Sequence, residues 1–367
     1  MRRFLASIVF AVVTGSAALA SADNHQTSAG PVTVTPMITG LDNPWSVAFL
    51  PDGKLLITER DGKLLLADTG TGGKTPVSGV PEVFASGQGG LLDVVLDPDF
   101  AENRILYLSY SEPVGLFSAG TAVMRAELQD TALASQQVIF RQTPEARGGR
   151  HFGSRIVPDG KGNLFITLGD RGDDELAQDL GTHHGKVVRI RTDGSIPPDN
   201  PFPQNPAIWS YGHRNAQGAA LDEAGRLWTI SHGARGGDEV NRPEAGKNYG
   251  WPVISFGTQY TGGKIGEGTA KAGMEQPVWY WDPSIAPSGA VIYSGKLWPE
   301  WAGDIFTGSL KFDMISRLDR DGDAVLSEER LFPGEFIRIR DVREGPDGAI
   351  WFLAVGDGTL FRMEPAR

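Results

Sequence analysis

Short apolar runs alternate along the chain with Asp/Gly-rich turns, and one phrase returns six times. It reads WSVAFLPDGKLLITER at 45–60, LLDVVLDPDFAENRILYLSY at 91–110 and SRIVPDGKGNLFITLGD at 154–170. It returns as GAALDEAGRLWTISHG at 218–233, AVIYSGKLWPEWAGDIFTGSL at 290–310 and DVREGPDGAIWFLAVGD at 341–357. Each copy has an apolar run, a Gly/Asp turn and a second apolar run, the signature of a β-hairpin. A third run often follows, at 186–191, 315–319 and 359–363. Stripes with the i, i+3, i+4, i+7 spacing of a buried helix are scarce. Six units at a spacing of roughly 40–50 residues predict an all-β, six-bladed β-propeller rather than a pair of β-sandwiches. Long Gly/Pro-rich insertions at 171–186, 196–213 and 242–289 interrupt the repeats and are long enough to build a site.

Composition narrows the function. Of 367 residues, 34 are Lys or Arg and 45 are Asp or Glu, a formal net charge of −11, which disfavours a nucleic-acid partner. The absence of cysteine removes disulfides, thiolate zinc sites, iron–sulfur clusters and thiol nucleophiles. The N-terminus reads as a signal peptide over residues 1–22. Arg2 and Arg3 are followed by an apolar stretch from Leu5 to Val13, and small residues place cleavage after Ala20 or Ala22. That stretch is shorter than the roughly 20 residues of a membrane span. The expectation is a periplasmic or secreted protein with no membrane span, its one domain covering 23–367.

In a propeller blade the start of the first strand and the end of the second share one face. Gln88, His151, Arg214, Asn215, Arg338 and Arg340 precede first strands, while Asp170, Arg171, His232, Gly233 and Lys311 follow second strands. One face therefore gathers a histidine, an aspartate and several cations. A carboxylate beside His151 makes it a competent general base, and Asp170 is the expected partner. His213 reads equally as a second base or as a rim histidine satisfied by backbone. Cations converging on one channel repel each other unless an anion is bound, so Lys311, Arg338 and Arg340 imply a small polycarboxylate or phosphate ligand. The segment SHGARGGDEVNRPEAGKNYGWP at 231–252 offers carbonyl and carboxylate oxygens for Ca²⁺, though such loops also serve as plain tight turns. The acidic run at 319–329 has Ala324 and Arg330 where an EF-hand needs Gly and Glu, and reads as a hairpin turn. No Walker loop, GxGxxG or GxSxG is present.

Taken together, GQGGLLDVVLDPDF, HFGSR, GHRNAQG, HGARGGDE, NYGWP, SLK and RIRDV resemble the soluble quinoprotein aldose sugar dehydrogenases. These relatives of soluble glucose dehydrogenase use pyrroloquinoline quinone (PQQ) and Ca²⁺ on a six-bladed propeller. The resemblance runs from about Gly40 to Met363. It implies oxidation of an aldose at C1 to the lactone, with electrons passed to an external quinone or cytochrome. It further implies that Gln88, Arg214, Asn215, Tyr260, Lys311, Arg338 and Arg340 hold PQQ, with Ser309 and Leu310 flanking the lysine. His151 would be the base, supported by Asp170 and with Arg214 in the catalytic group. Carbonyls of Gly233 and Ala234 would hold the metal at the quinone, and Glu239 with the backbone of Tyr249 a further Ca²⁺. Ala216 and Ala234 stand where the glucose enzymes have proline. A Ca²⁺-dependent lactonase or esterase, and a non-catalytic sugar- or protein-binding propeller, are the rival readings. Whether the chain is a monomer or a homodimer is not written in it.

Overall fold

The computed structural model describes residues 23–366, so the signal-peptide reading concerns residues outside those described. Six antiparallel sheets form the six blades of a propeller. The innermost strands are Pro44–Phe49, Leu91–Leu96, Gly153–Pro158, Ala216–Leu221, Pro287–Ile292 and Ile339–Glu344, each adjoining the next around the ring, with the last returning to the first. All six recurring phrases supply the first two strands of a blade. The turn Gly322-Asp323 joins Met314–Asp321 to Ala324–Leu331 as a hairpin, as the failed EF-hand match implies. Among the described residues no helix is long and apolar enough to cross a membrane.

The near-continuous apolar runs follow from burial on both faces. Successive side chains of a strand point to opposite faces. Val94 accordingly packs with Leu56 and Leu64 of blade 1, while its neighbour Val95 packs with Ile156 and Leu164 of blade 3. Ile305 and Phe306 divide themselves in the same way between blades 4 and 6. Second-strand hydroxyls stitch blades together. Thr58 donates to the Leu92 carbonyl (2.6 Å), Ser109 to Ser154 (2.6 Å) and Thr167 to Ala216 (2.8 Å).

Two features go beyond the repeats. Gly30–Ile38 pairs with Thr359–Pro365, so an N-terminal strand joins the C-terminal one within blade 6 and ties the ring shut. The register also slips near the start of every inner strand, at Pro44/Ser46, Leu91/Val94, Gly153/Ile156, Ala216/Gly218, Pro287/Ala290 and Ile339/Asp341. A bulge adds a residue and re-aims side chains. Asp93, Arg155, Gln217 and Arg340 all lie within these bulges, on the channel axis.

The channel is plugged. Arg155 Nη1 lies 2.9 Å from Asp93 Oδ1 and 3.2 Å from Asp341 Oδ1. Arg343 reaches the same carboxylates at 2.8 and 2.9 Å. Ser46 adds a hydroxyl to Asp93 (2.7 Å), and Arg155 stacks over Trp45. Two cations, Arg155 buried and Arg343 half-buried, meet two buried anions, so the charges balance.

Candidate active site

Above the plug lies an open cavity of about 1110 Å³. Of the residues expected at the site, Gln88, Gly233, Ala234, Tyr260, Leu310, Lys311, Arg338 and Arg340 line it. Tyr260 stands at its edge, 69% exposed. His151, Asp170, Arg214 and Asn215 form a buried layer attached to that lining. The Gln88 side-chain oxygen accepts from the His151 backbone N–H (2.8 Å), and the Gly233 carbonyl accepts from Arg214 Nη1. Asn215 Oδ1 accepts from the Gly153 N–H at 3.0 Å.

The side chains of Ser309 and Tyr249 point away from the cavity, though only the backbone of Tyr249 was expected to take part. Ser309 is fully buried, its hydroxyl donating to the Ile285 carbonyl (2.7 Å) and accepting from the Phe312 N–H (2.9 Å), so it shapes the turn that presents Lys311. Tyr249 is buried with its ring stacked on His213 and its hydroxyl engaged by the Arg242 carbonyl and the Glu244 N–H. Of the insertions, 242–289 supplies Thr258, Tyr260, Asp282, Pro283, Ser284 and Ala286 of the cavity wall, whereas 196–213 folds against blade 3 through Ile196, Ala207 and the Arg189–Asp199 pair and supplies none of its lining.

The His–Asp pair is tightly built. His151 Nδ1 lies 2.6 Å from Asp170 Oδ1. Asp170 also accepts from the Gly172 N–H (2.8 Å) and, on Oδ2, from the Trp251 indole (2.9 Å). Asp170 is fully buried, yet the His151 contact, the charge of Arg214 and the Gly172 N–H hold it below the usual carboxylate range. Burial, reinforced by Arg214, keeps His151 below the usual imidazole range against the pull of Asp170. The ring is therefore neutral at pH 7, with Nδ1–H toward Asp170 and the lone pair on Nε2. Backbone geometry is specialised here: His151 has φ of 55°, and a Cβ on Gly169 would fall 1.8 Å from the His151 carbonyl. His213 is no base, because burial pushes its pKa down to about 3 and its Nε2 meets the Ser210 hydroxyl at 2.9 Å.

The cavity is cationic. Arg60, Arg235, Lys311, Arg338 and Arg340 line it against the single carboxylate of Asp282. Burial and the charges of Arg338, Arg60 and Arg155 push Arg340 down to about 9. Its nearest relief is the neutral amide oxygen of Gln217, at 2.6 Å. Arg60, Gln217 and Trp251 were not among the residues expected. A much smaller void lies behind the wall, bounded by Arg214, His232, Glu239, Asn241 and Trp251. There burial pushes Glu239 up to about 7, and Asn241 Oδ1 is buried without a partner.

A propeller that sets a His–Asp pair beside a polycation-lined cavity has the makings of an anion-holding active site. The comparisons name the family. Residues 41–362 match the family model Glucose / Sorbosone dehydrogenase, and the chain belongs to that family. It is 47% identical to the aldose sugar dehydrogenase YliI of Escherichia coli over 336 residues, covering 89% of this chain and 91% of that one. The apo-form crystal structure of the soluble E. coli aldose sugar dehydrogenase superposes with a TM-score of 0.88 at 46% identity, over 91% of this chain and all of that one. The PQQ-bound aldose sugar dehydrogenase of Streptomyces coelicolor superposes with a TM-score of 0.76 at 30% identity, over 91% and 98%.

Proposed function

We propose that this enzyme is an exported aldose dehydrogenase that binds PQQ and Ca²⁺ and oxidises the sugar at C1 to the lactone. The observation that carries this reading is the surplus of positive charge lining the cavity, with Arg340 buried at its floor. Five cations against one carboxylate suit a ligand with three carboxylates. Buried donors without partners, Arg214 Nε and Asn215 Nδ2, stand in the adjoining layer. For calcium, which asks for hard oxygens, the Gly233 carbonyl keeps one lone pair beyond the one Arg214 engages. Glu239 and the unpartnered Asn241 oxygen supply a second oxygen set. Tyr249 could add only its backbone carbonyl, since its hydroxyl is already engaged.

Bound PQQ supplies the hydride acceptor, and calcium polarises the accepting carbonyl. The chain's own share is the proton and the placement of the cofactor. His151 Nε2 takes the proton of the C1 hydroxyl as the C1 hydride departs. The imidazolium so formed is held by Asp170, whose second oxygen stays on Trp251. Burial, helped by the charge of Arg214 that lies 5.1 Å above the Trp251 ring, keeps the imidazole neutral beforehand. Lys311, Arg338 and Arg340 hold the carboxylates. A lactonase or esterase propeller would need carboxylates around a central metal, and this channel mouth presents cations instead.

The test is reconstitution of the purified chain with PQQ and Ca²⁺, following dye reduction over an aldose panel. Turnover requiring both additions is the expected result. No turnover and no PQQ-dependent rise in Tm would overturn the reading and make lactone hydrolysis the next assay. His151→Ala is expected to lower kcat by about 10²–10⁴-fold while PQQ still binds; near-parental kcat would remove His151 from the role of base.

A further inference from the structure

Arg60 follows the second strand of blade 1, Leu55–Glu59, and lines the cavity beside Gly87, Gln88, Arg338 and Arg340. No motif in the sequence marks it, and no described carboxylate pairs with it. Its Nη2 donates to the Gly87 carbonyl (2.7 Å), while its Nε is buried with no partner at all. A guanidinium presents five donors, and a buried one left unmet, as Nε is here, costs free energy unless an anion completes it. Burial and the charge of Arg338 depress its pKa, so the two cations sense each other across the cavity.

The backbone around Arg60 is arranged to keep it there. Its N–H donates to the Asn43 carbonyl (3.2 Å), and its carbonyl accepts from the Leu91 N–H (3.2 Å). A Cβ on Gly90 would fall 1.9 Å from that carbonyl, so the chain passes too close for any other residue. Arg60 also occupies the place in blade 1 that Asp170, His232 and Lys311 occupy in blades 3, 4 and 5, just past the second strand.

We propose that Arg60 is an anion-binding residue of the cofactor site, sharing one carboxylate of a planar polycarboxylate with Arg338 and Arg340. The proposal rests on the reading of the cavity given above and adds a residue to it. Arg60 contributes two things there: a fork geometry suited to a carboxylate, and a charge that no described carboxylate of the chain compensates.

The test compares the parent with Arg60→Met and Arg60→Lys, each purified without cofactor. Binding of PQQ and, separately, of citrate is measured by titration at two ionic strengths, and Tm is recorded with and without each ligand. Arg60→Met is expected to bind PQQ at least tenfold more weakly, with a shallower salt dependence and a Tm without ligand equal to or above the parent's. Arg60→Lys is expected to fall between the two. Equal PQQ affinity in parent and Arg60→Met would overturn the proposal. So would a lowered Tm without ligand in both variants together with equal losses of affinity, which would mark Arg60 as a brace for the Gly87 loop. If the parent binds citrate but not PQQ, and Arg60→Met loses citrate, the PQQ reading falls and Arg60 stands. If the parent binds neither, both fall.

Discussion

Two groups of arginines lie in the same channel and meet opposite surroundings. Arg155 and Arg343, in the plug, each contact both Asp93 and Asp341 within 3.2 Å. Burial opposes the charge of Arg343, yet Asp341 and Asp93 hold its pKa above the usual range. Arg60, Arg338 and Arg340 line the cavity with no ion pair among the described residues, and burial with the neighbouring cations pushes Arg340 down to about 9. Burial alone therefore does not separate structural from functional charge. The separation lies in whether the chain itself supplies the counter-charge. Where it does, the arginines close the channel; where it does not, they are free for the ligand proposed above.

Asp93→Asn should break the comparison from the plug side, with the largest effect. Asp93 meets Ser46, Arg155, Arg343 and the Ile156 N–H, so neutralising it leaves both cations short of an anion. Breaking a buried pair in this way costs about 3–5 kcal/mol, to be read from urea unfolding of the chain without cofactor. A loss below about 1 kcal/mol would show that the plug charges are not coupled to stability.

Arg340→Met probes the other side. A charge-assisted contact is worth about 1.5–3 kcal/mol, so PQQ affinity should fall about 10–100-fold. Stability without ligand should change by less than about 1 kcal/mol, because relief from Arg338, Arg60 and Arg155 offsets the lost Gln217 contact. If Arg340→Met were as unstable as Asp93→Asn, the two groups of arginines would not differ in kind.

The propeller was legible because each blade repeats a local pattern, apolar run and Asp/Gly turn, whose partners are neighbours in the chain. The closing strand Gly30–Ile38 was not, since its alternation PVTVTPMI names no partner and the one it finds lies more than 300 residues away. The same division holds at the site. His151, Asp170 and Lys311 were legible from their places at strand ends, and that rule also reaches Arg60, just after the ITER run. Gln217 sits on a register slip that no local pattern announces. Trp251 was hidden for a different reason: an 81-residue separation and a fold across blades 3 and 4 bring its indole to Asp170.

Trp251→Phe offers the smallest and most discriminating effect, because it keeps a ring beneath Arg214 and removes only the N–H held by Asp170. His151 must be neutral to accept a proton, and its pKa lies below the ordinary 6.5. In the parent, kcat/KM should therefore stay level as pH falls toward 6.5 and decline only below it, by tenfold per unit once His151 is mostly protonated. Losing the indole donor leaves the Asp170 carboxylate more basic, which favours the imidazolium and raises the pKa of His151. A neutral hydrogen bond is worth about 1 kcal/mol, and 1.36 kcal/mol is one pH unit, so the acid limb should move upward by at most about 0.7 unit. The same rise should appear in a proton-NMR titration of His151 in the chain without cofactor. Loss of packing alone would lower Tm and leave both curves in place, whereas a shift to lower pH would mean that Trp251 does not govern the charge on Asp170.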